Sequence, residues 1–128
     1  MATVRQAAQA AKAAAVRMAV VPAKTRDAAL RRMADGLEAA RETLLAANAA
    51  DLRAAVALPG PLQKRLVFDD HKLKESVEGL RALADLPDPI GQTTLSTELA
   101  EGLRLYRVRC PIGVIGVVFE SRPDALVQ

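Results

Sequence analysis

Glu120-Ser121-Arg122-Pro123-Asp124 sets a carboxylate, a hydroxyl and a guanidinium on consecutive residues, directly after the apolar run Ile112–Phe119. A guanidinium presents a rigid fork of donors that matches phosphate and carboxylate groups, and charge-assisted hydrogen bonds are the stronger kind. Pro123 biases Arg122 toward an extended backbone. It also suits the first position of a helix, where its missing donor is not needed. Asp124 then falls in the first turn, where a negative charge complements the helix dipole. This stretch therefore predicts a turn that aims Arg122 at a bound anion.

Other chemistry-bearing residues read differently. Cys110 is the only cysteine, which removes an internal disulfide and any multi-cysteine metal cluster. It falls on a predicted strand with no neighbouring histidine in sequence, so it reads as a small apolar filler rather than a nucleophile. His71, flanked by Lys72 and near Lys74, reads as a solvated surface histidine. Asn48 and Asp51 lie three apart on one helical face. They read as caps or helix contacts, because two ligands are too few for a metal. Arg104, Arg107 and Arg109 are scattered by strand alternation between two faces, as charges that prevent unwanted edge pairing are.

The elements that position these residues follow from apolar spacing. Val4, Ala8, Ala11, Ala15 and Met18 recur at steps of four and three, which predicts a first helix closed before Pro22. Leu30, Met33, Leu37, Ala40 and Leu44 repeat the rhythm. Leu45, Ala49, Leu52 and Val56 continue it on a rotated face, so two helices, or one bent one, are expected. Pro59-Gly60-Pro61 breaks the chain, and Leu62 and Leu66 suggest a short helical turn. Asp69 or Asp70 can cap the next helix, with Leu73, Val77, Leu80 and Ala84 as its inner face, ending at Leu86-Pro87-Asp88-Pro89.

Past Gly91 the period becomes two. Leu95, Thr97 and Leu99 alternate with polar residues, Glu101-Gly102 offers a turn, and Tyr106, Val108 and Cys110 alternate with Leu105, Arg107 and Arg109: a β-hairpin. Ile112–Phe119 abandons alternation, interrupted only by Gly113 and Gly116. Strands apolar on both faces belong to parallel sheets covered by helices, and ligands bind at the carboxyl ends of such strands. The fold class is α/β, mostly helical at first, then a hairpin and one strand of a parallel sheet.

Composition narrows the function classes. Eighteen basic and fifteen acidic residues give a net charge of +3, and the basic groups are mixed with acids rather than gathered with aromatics, which argues against nucleic-acid binding. No apolar run reaches the roughly 18–20 residues that cross a bilayer. Residues 1–26 hold no acid, as in a mitochondrial transit peptide; the lack of serine and the continued packing rhythm favour an amphipathic first helix. A reducing, cytoplasmic compartment is expected.

Ile112–Gln128, IGVIGVVFESRPDALVQ, resembles the first cofactor-domain strand and turn of the gamma-glutamyl phosphate reductase branch of the aldehyde dehydrogenase superfamily. LLAANAADL, PLQKRL, KLKESVEGLRALADLPDPIGQ and GLRLYRVRCPIGVIGV resemble that branch in order and spacing. ESRPD is also similar to the reductase half of the pyrroline-5-carboxylate synthases. The resemblance implies an oxidoreductase that uses NADPH to reduce gamma-glutamyl phosphate to glutamate-5-semialdehyde and phosphate in proline biosynthesis. It implies a catalytic cysteine downstream of these residues, so none of the residues present is catalytic. It further implies residues 1–90 as the helical N-terminal part of the cofactor domain, 91–110 as a linking and oligomerisation hairpin, and 111–128 as the first strand and turn of the NADP-binding domain. The expectation is an inactive fragment of a homo-oligomeric enzyme.

On this reading Arg122 contacts substrate, against the alternative of a structural ion pair with a downstream acid. Glu120 orients the substrate amine or Arg122, and Ser121 meets the cofactor through its backbone. The wider superfamily has Pro-Trp-Asn at this turn, so its oxyanion geometry does not carry over to Glu120-Ser121-Arg122. Two rivals stand beside this reading: another acyl-reducing or aldehyde-oxidising member of the superfamily, and a non-enzymatic alanine-rich helical interaction module.

Overall fold

Asn48 is a polar side chain placed where only apolar ones are expected, 7% exposed in the interior face of a helix. In the computed structural model, which describes residues 3–127, its amide closes two backbone bonds. Nδ2 donates to the Leu66 carbonyl at 2.7 Å, and Oδ1 accepts from the Phe68 N–H at 2.8 Å. These bonds fix the link between the short helix α4 (Gly60–Leu66) and the long helix α5 (Asp70–Asp85). Asn48 itself belongs to α3 (Arg41–Ala54), which follows α2 (Ala23–Ala39) and α1 (Val4–Met18).

Phe68, delivered by that clamp, joins Ala34, Leu73, Val77 and Leu80 as the buried cluster. The expected spacing on α5 is the one that is buried: Leu73, Val77, Leu80 and Ala84 are each 3–5% exposed. Leu30 and Leu37 of α2, Leu44 of α3 and Val127 pack against the cluster. Truncating one such leucine to alanine costs about 2–5 kcal/mol, so this apolar face dominates the local energetics.

Ion pairs ring it. Arg81 of α5 meets Asp35 at 3.0 Å and Glu38 at 2.6 Å on α2, and Arg31 meets Asp85 at 2.6 Å. Arg41 of α3 grips Asp70 bidentately, at 2.6 and 2.7 Å. Of the two candidate caps, Asp69 is the one used: its Oδ1 accepts from the Lys72 N–H at 3.0 Å, while Asp70 serves Arg41.

The backbone gathers into two compact units. One contains Lys24–Leu86 and the chain from Val117 onward; the other contains the chain up to Ala23 and Pro87–Gly116. In the latter, α1 opens with a capping box in which Thr3 and Gln6 satisfy each other's backbone donors. Its stripe is not buried as expected: Val4 is 87% and Met18 52% exposed. Ala8, Ala15 and Ala19 border an open apolar groove with Pro111, Gly113 and Val114, about 580 Å³ in volume.

The hairpin forms as expected, β1 (Thr93–Ala100) antiparallel to β2 (Leu103–Val108), with irregularities between Thr93 and Leu95 and between Glu98 and Ala100. Glu101-Gly102 makes the turn, with Gly102 at a φ of 74° that favours glycine. Every residue of both strands is exposed. Ile112–Phe119, expected as a strand, has no regular secondary structure, and its side chains are exposed, Val118 fully. The physical reason is pairing: a parallel strand needs a neighbour for its ladder and helices over both faces. Among the described residues the only strands are β1 and β2, which pair with each other.

Two outcomes follow from this packing. Asn48→Ala strands the Phe68 N–H and the Leu66 carbonyl, and should lower unfolding free energy by about 2–4 kcal/mol, measured by denaturant titration. The Asp70 carboxyl is held below its ordinary value of 3.8, chiefly by its hydrogen bonds from Arg41. A depressed folded-state value makes this contribution whole above pH 3.8 and lost as pH falls through the lower folded value. Asp70→Asn should therefore flatten the acid limb of the stability profile below that pH and leave its neutral shape unchanged, as read from denaturation midpoints across pH.

Candidate functional site

The turn that ends Ile112–Phe119 is built by what it buries and what it leaves out. Asp124 and Val127 point inward. Asp124 is 4% exposed, its Oδ2 lying 3.9 Å from Lys72 Nζ on α5, and Val127 packs on the Phe68 cluster. Pro123 opens a single 3-10 turn, Pro123–Leu126, at the position where its missing donor is not needed. The Ala125 and Val127 N–H groups donate to the Arg122 and Asp124 carbonyls, each at 3.0 Å.

Upstream of this anchor the three candidate residues sit at the surface. Arg122 is exposed and extended, with φ −135° and ψ 87°, consistent with the proline after it. Ser121 is half-buried at a φ of 54°, the one non-glycine residue with positive φ among those described. That value costs a side-chain-bearing residue about 1 kcal/mol, and it reverses the chain between Glu120 and Arg122. Glu120 is exposed. A cation and an anion, both exposed, thus flank one reversal. Val127 of the anchor and the α5 residues Glu75, Ser76, Gly79, Leu80 and Leu83 line a cavity of about 440 Å³, which none of the three candidate residues borders. Ser76 Oγ is buried there with no hydrogen-bond partner among the described residues.

Elsewhere the expectations divide. His71 is a surface residue, its ring 3.5 Å from Glu75 one helical turn on. Asn48 is the helix contact expected of it, whereas Asp51 is exposed. Arg104 pairs with Glu98 at 3.6 Å, Arg107 Nε donates to Thr94 Oγ1 at 2.9 Å, and Arg109 donates to the Gln92 side chain at 3.3 Å. Each is spent within the hairpin. Cys110 departs from the expected buried strand position: it is exposed and lies past the end of β2. The last rungs of the ladder are Arg109 N–H to the Gln92 carbonyl at 3.0 Å and Gly91 N–H to the Arg109 carbonyl at 2.9 Å, and Pro111 has no donor with which to continue it.

Three structural residues were not singled out from sequence. Thr3 and Gln6 carry the Thr-x-x-Gln spacing that marks a capping box, a signal present in the sequence. Lys72 appeared only as a neighbour of His71; its pairing with Asp124 joins distant segments and leaves no local trace.

The whole path of the chain, and not the turn alone, matches known proteins. The model of the aldehyde dehydrogenase family matches residues 1–119. A gamma-glutamyl phosphate reductase of Pelotomaculum thermopropionicum is 51% identical over 91% of this chain and 27% of its own length. That of Ruminiclostridium cellulolyticum is 46% identical over 98% of the chain and 29% of its own. Among solved structures, the gamma-glutamyl phosphate reductase of Saccharomyces cerevisiae superposes with a TM-score of 0.89 at 33% identity, covering 99% of this chain and 33% of that one. The Thermotoga maritima enzyme gives 0.85 at 30% identity, over 94% and 30%. The chain therefore spans a third or less of the length of these reductases, and over that span its sequence and backbone path agree with theirs: it belongs to the aldehyde dehydrogenase family.

Proposed function

We propose that this chain is the N-terminal portion of an NADPH-dependent gamma-glutamyl phosphate reductase, an enzyme of proline biosynthesis, with residues 1–90 as the helical part of the cofactor domain. Residues 91–110 are then the linking hairpin, and 111–128 the first strand and turn of the dinucleotide-binding domain. The observation that carries the reading is the Glu120–Arg122 reversal, anchored from below by Asp124 and Val127 with its two charged residues exposed. Gamma-glutamyl phosphate bears a phosphate and a carboxylate that suit Arg122, and an ammonium that suits Glu120. The names of the relatives and of both solved neighbours support the same substrate.

The exposed apolar side chains of Ile112–Phe119 support a sheet completed by further chain, because a surface of this kind is otherwise left in water. In that arrangement the hairpin, exposed throughout and carrying Leu95, Leu99, Leu103 and Leu105, suits contact with another subunit of a homo-oligomer. No helix is long and apolar enough to cross a membrane among the described residues, which accords with a cytoplasmic enzyme.

A nicotinamide cofactor is common ground for this family, and the residues here fit one edge of its site. Ser121, half-buried at the reversal, offers its backbone; when bound, the cofactor supplies hydride to the acyl carbon. The chain's own part is to bind and orient. Arg122 holds the anionic groups, so that the acyl carbon is presented in one orientation, and Glu120 fixes the amine end. Orientation of this sort lowers the barrier without any covalent role for either residue.

In the enzyme carrying this segment, Arg122→Ala should lower kcat/KM for reduction of gamma-glutamyl phosphate 10- to 100-fold, the range expected for loss of a charged hydrogen bond worth about 1.5–3 kcal/mol. Thermal stability should stay near that of the parent. Arg122→Lys, which keeps the charge and loses the fork, should fall between. Unchanged kinetics in a folded Arg122→Ala protein removes this residue from the substrate site.

A further inference from the structure

Lys72 is poorly placed by the usual rule for charges on helices. It sits in the first turn of α5, where the positive end of the dipole disfavours a cation. What it reaches accounts for it: Nζ donates to the Val67 carbonyl at 2.7 Å and lies 3.9 Å from Asp124 Oδ2. This pair is unlike the rim pairs. Arg31–Asp85 and Arg81–Asp35 have both side chains at least 44% exposed, whereas Lys72 is 28% and Asp124 only 6% exposed. A carboxylate so far withdrawn from water requires a counter-charge.

Asp124 is also close to the candidate site along the chain. Its carbonyl accepts from Val127, and the Ala125 N–H returns to the Arg122 carbonyl, so fixing the Asp124 carboxylate fixes the backbone that leaves Arg122. The 3-10 turn packs on α5 in the same compact unit. We infer that Lys72 is a positioning residue for the Glu120–Arg122 turn, acting through Asp124 and not through the substrate. Its consequence for turnover rests on the assignment of that turn to the substrate given above. The Lys72 side chain is separable from the helix cap, since the bond to Asp69 is made by the Lys72 backbone N–H.

The test uses Lys72→Met, Lys72→Arg, Asp124→Asn and the double variant Lys72→Met/Asp124→Asn in the enzyme carrying this segment. Hydrogen exchange is followed in peptides spanning residues 120–127 and 73–84, alongside steady-state kinetics. Lys72→Met should speed exchange in 120–127 while leaving 73–84 at the parental rate. It should also lower kcat on the order of 10- to 100-fold, the scale of a small misplacement of a reacting group, with a smaller change in KM. Lys72→Arg should restore most of both. If Lys72→Met fails to fold, the double variant, which leaves no buried charge, carries the same comparison. Parental exchange in 120–127, or equal acceleration in both peptides, overturns the inference. Selective acceleration in 120–127 together with full activity of Arg122→Ala upholds Lys72 as the residue that positions the turn and instead overturns the substrate assignment.

Discussion

A single buried amide fixes the path of the link between α4 and α5 on which the helical core depends. Asn48 donates to the carbonyl of Leu66, the last residue of α4, and accepts from the N–H of Phe68 in the link before α5, so it serves groups at and just past a helix end. The net gain from each bond is about 1 kcal/mol, whereas a buried backbone group left unpaired costs about 1–3 kcal/mol. The asymmetry favours this path of the link over any that leaves the two groups unpaired. With the link fixed, Phe68 enters the cluster, Asp69 caps α5, and α5 presents Leu73, Val77, Leu80 and Ala84 to α2, α3 and Val127.

The charges refine what the apolar face decides. Arg81, Arg31 and Arg41 bridge from one helix to another at the rim, where water remains to solvate any broken pair, so they select the azimuth of α2 and α3 about α5 more than they hold them there. Lys72 and Asp124 work under different constraints, since the carboxylate has little access to solvent. The same distinction explains the hairpin arginines. Arg104, Arg107 and Arg109 each have a polar partner across the ladder while remaining exposed, which keeps the strand edges soluble without fixing their orientation.

What could be read from the sequence is what has a local period or a local breaker. The α5 face at spacings of three and four, the break at Pro59-Gly60-Pro61, the hairpin with its Glu101-Gly102 turn and the proline-led turn after Arg122 all leave such marks, and all appear. Asn48 was legible as a helix contact, but its partners Leu66 and Phe68 were not, because backbone groups carry no sequence signal. Ile112–Phe119 shows the converse. Its composition records an environment buried on both faces, yet composition supplies neither the neighbouring strands nor the helices, and in this chain the segment has no ladder to join. Cys110 was drawn into the strand by alternation, which is blind to the donor missing at Pro111.

The candidate site inherits its geometry from this hierarchy. Along Glu120–Val127 the inward residues, Asp124 and Val127, are one charge and one hydrocarbon, and each meets its complement on or around α5: the Lys72 ammonium and the Phe68 cluster. The hydrocarbon contact and the ion pair, 3.9 Å between Lys72 Nζ and Asp124 Oδ2, hold the turn to α5 at two points. Ser121 then carries the strain: a left-handed residue that is not glycine persists when the structure on either side of it is over-determined. On the downstream side that structure is the anchored 3-10 turn. A reversal held in this way fixes the backbone that carries Glu120 and Arg122, both of them exposed.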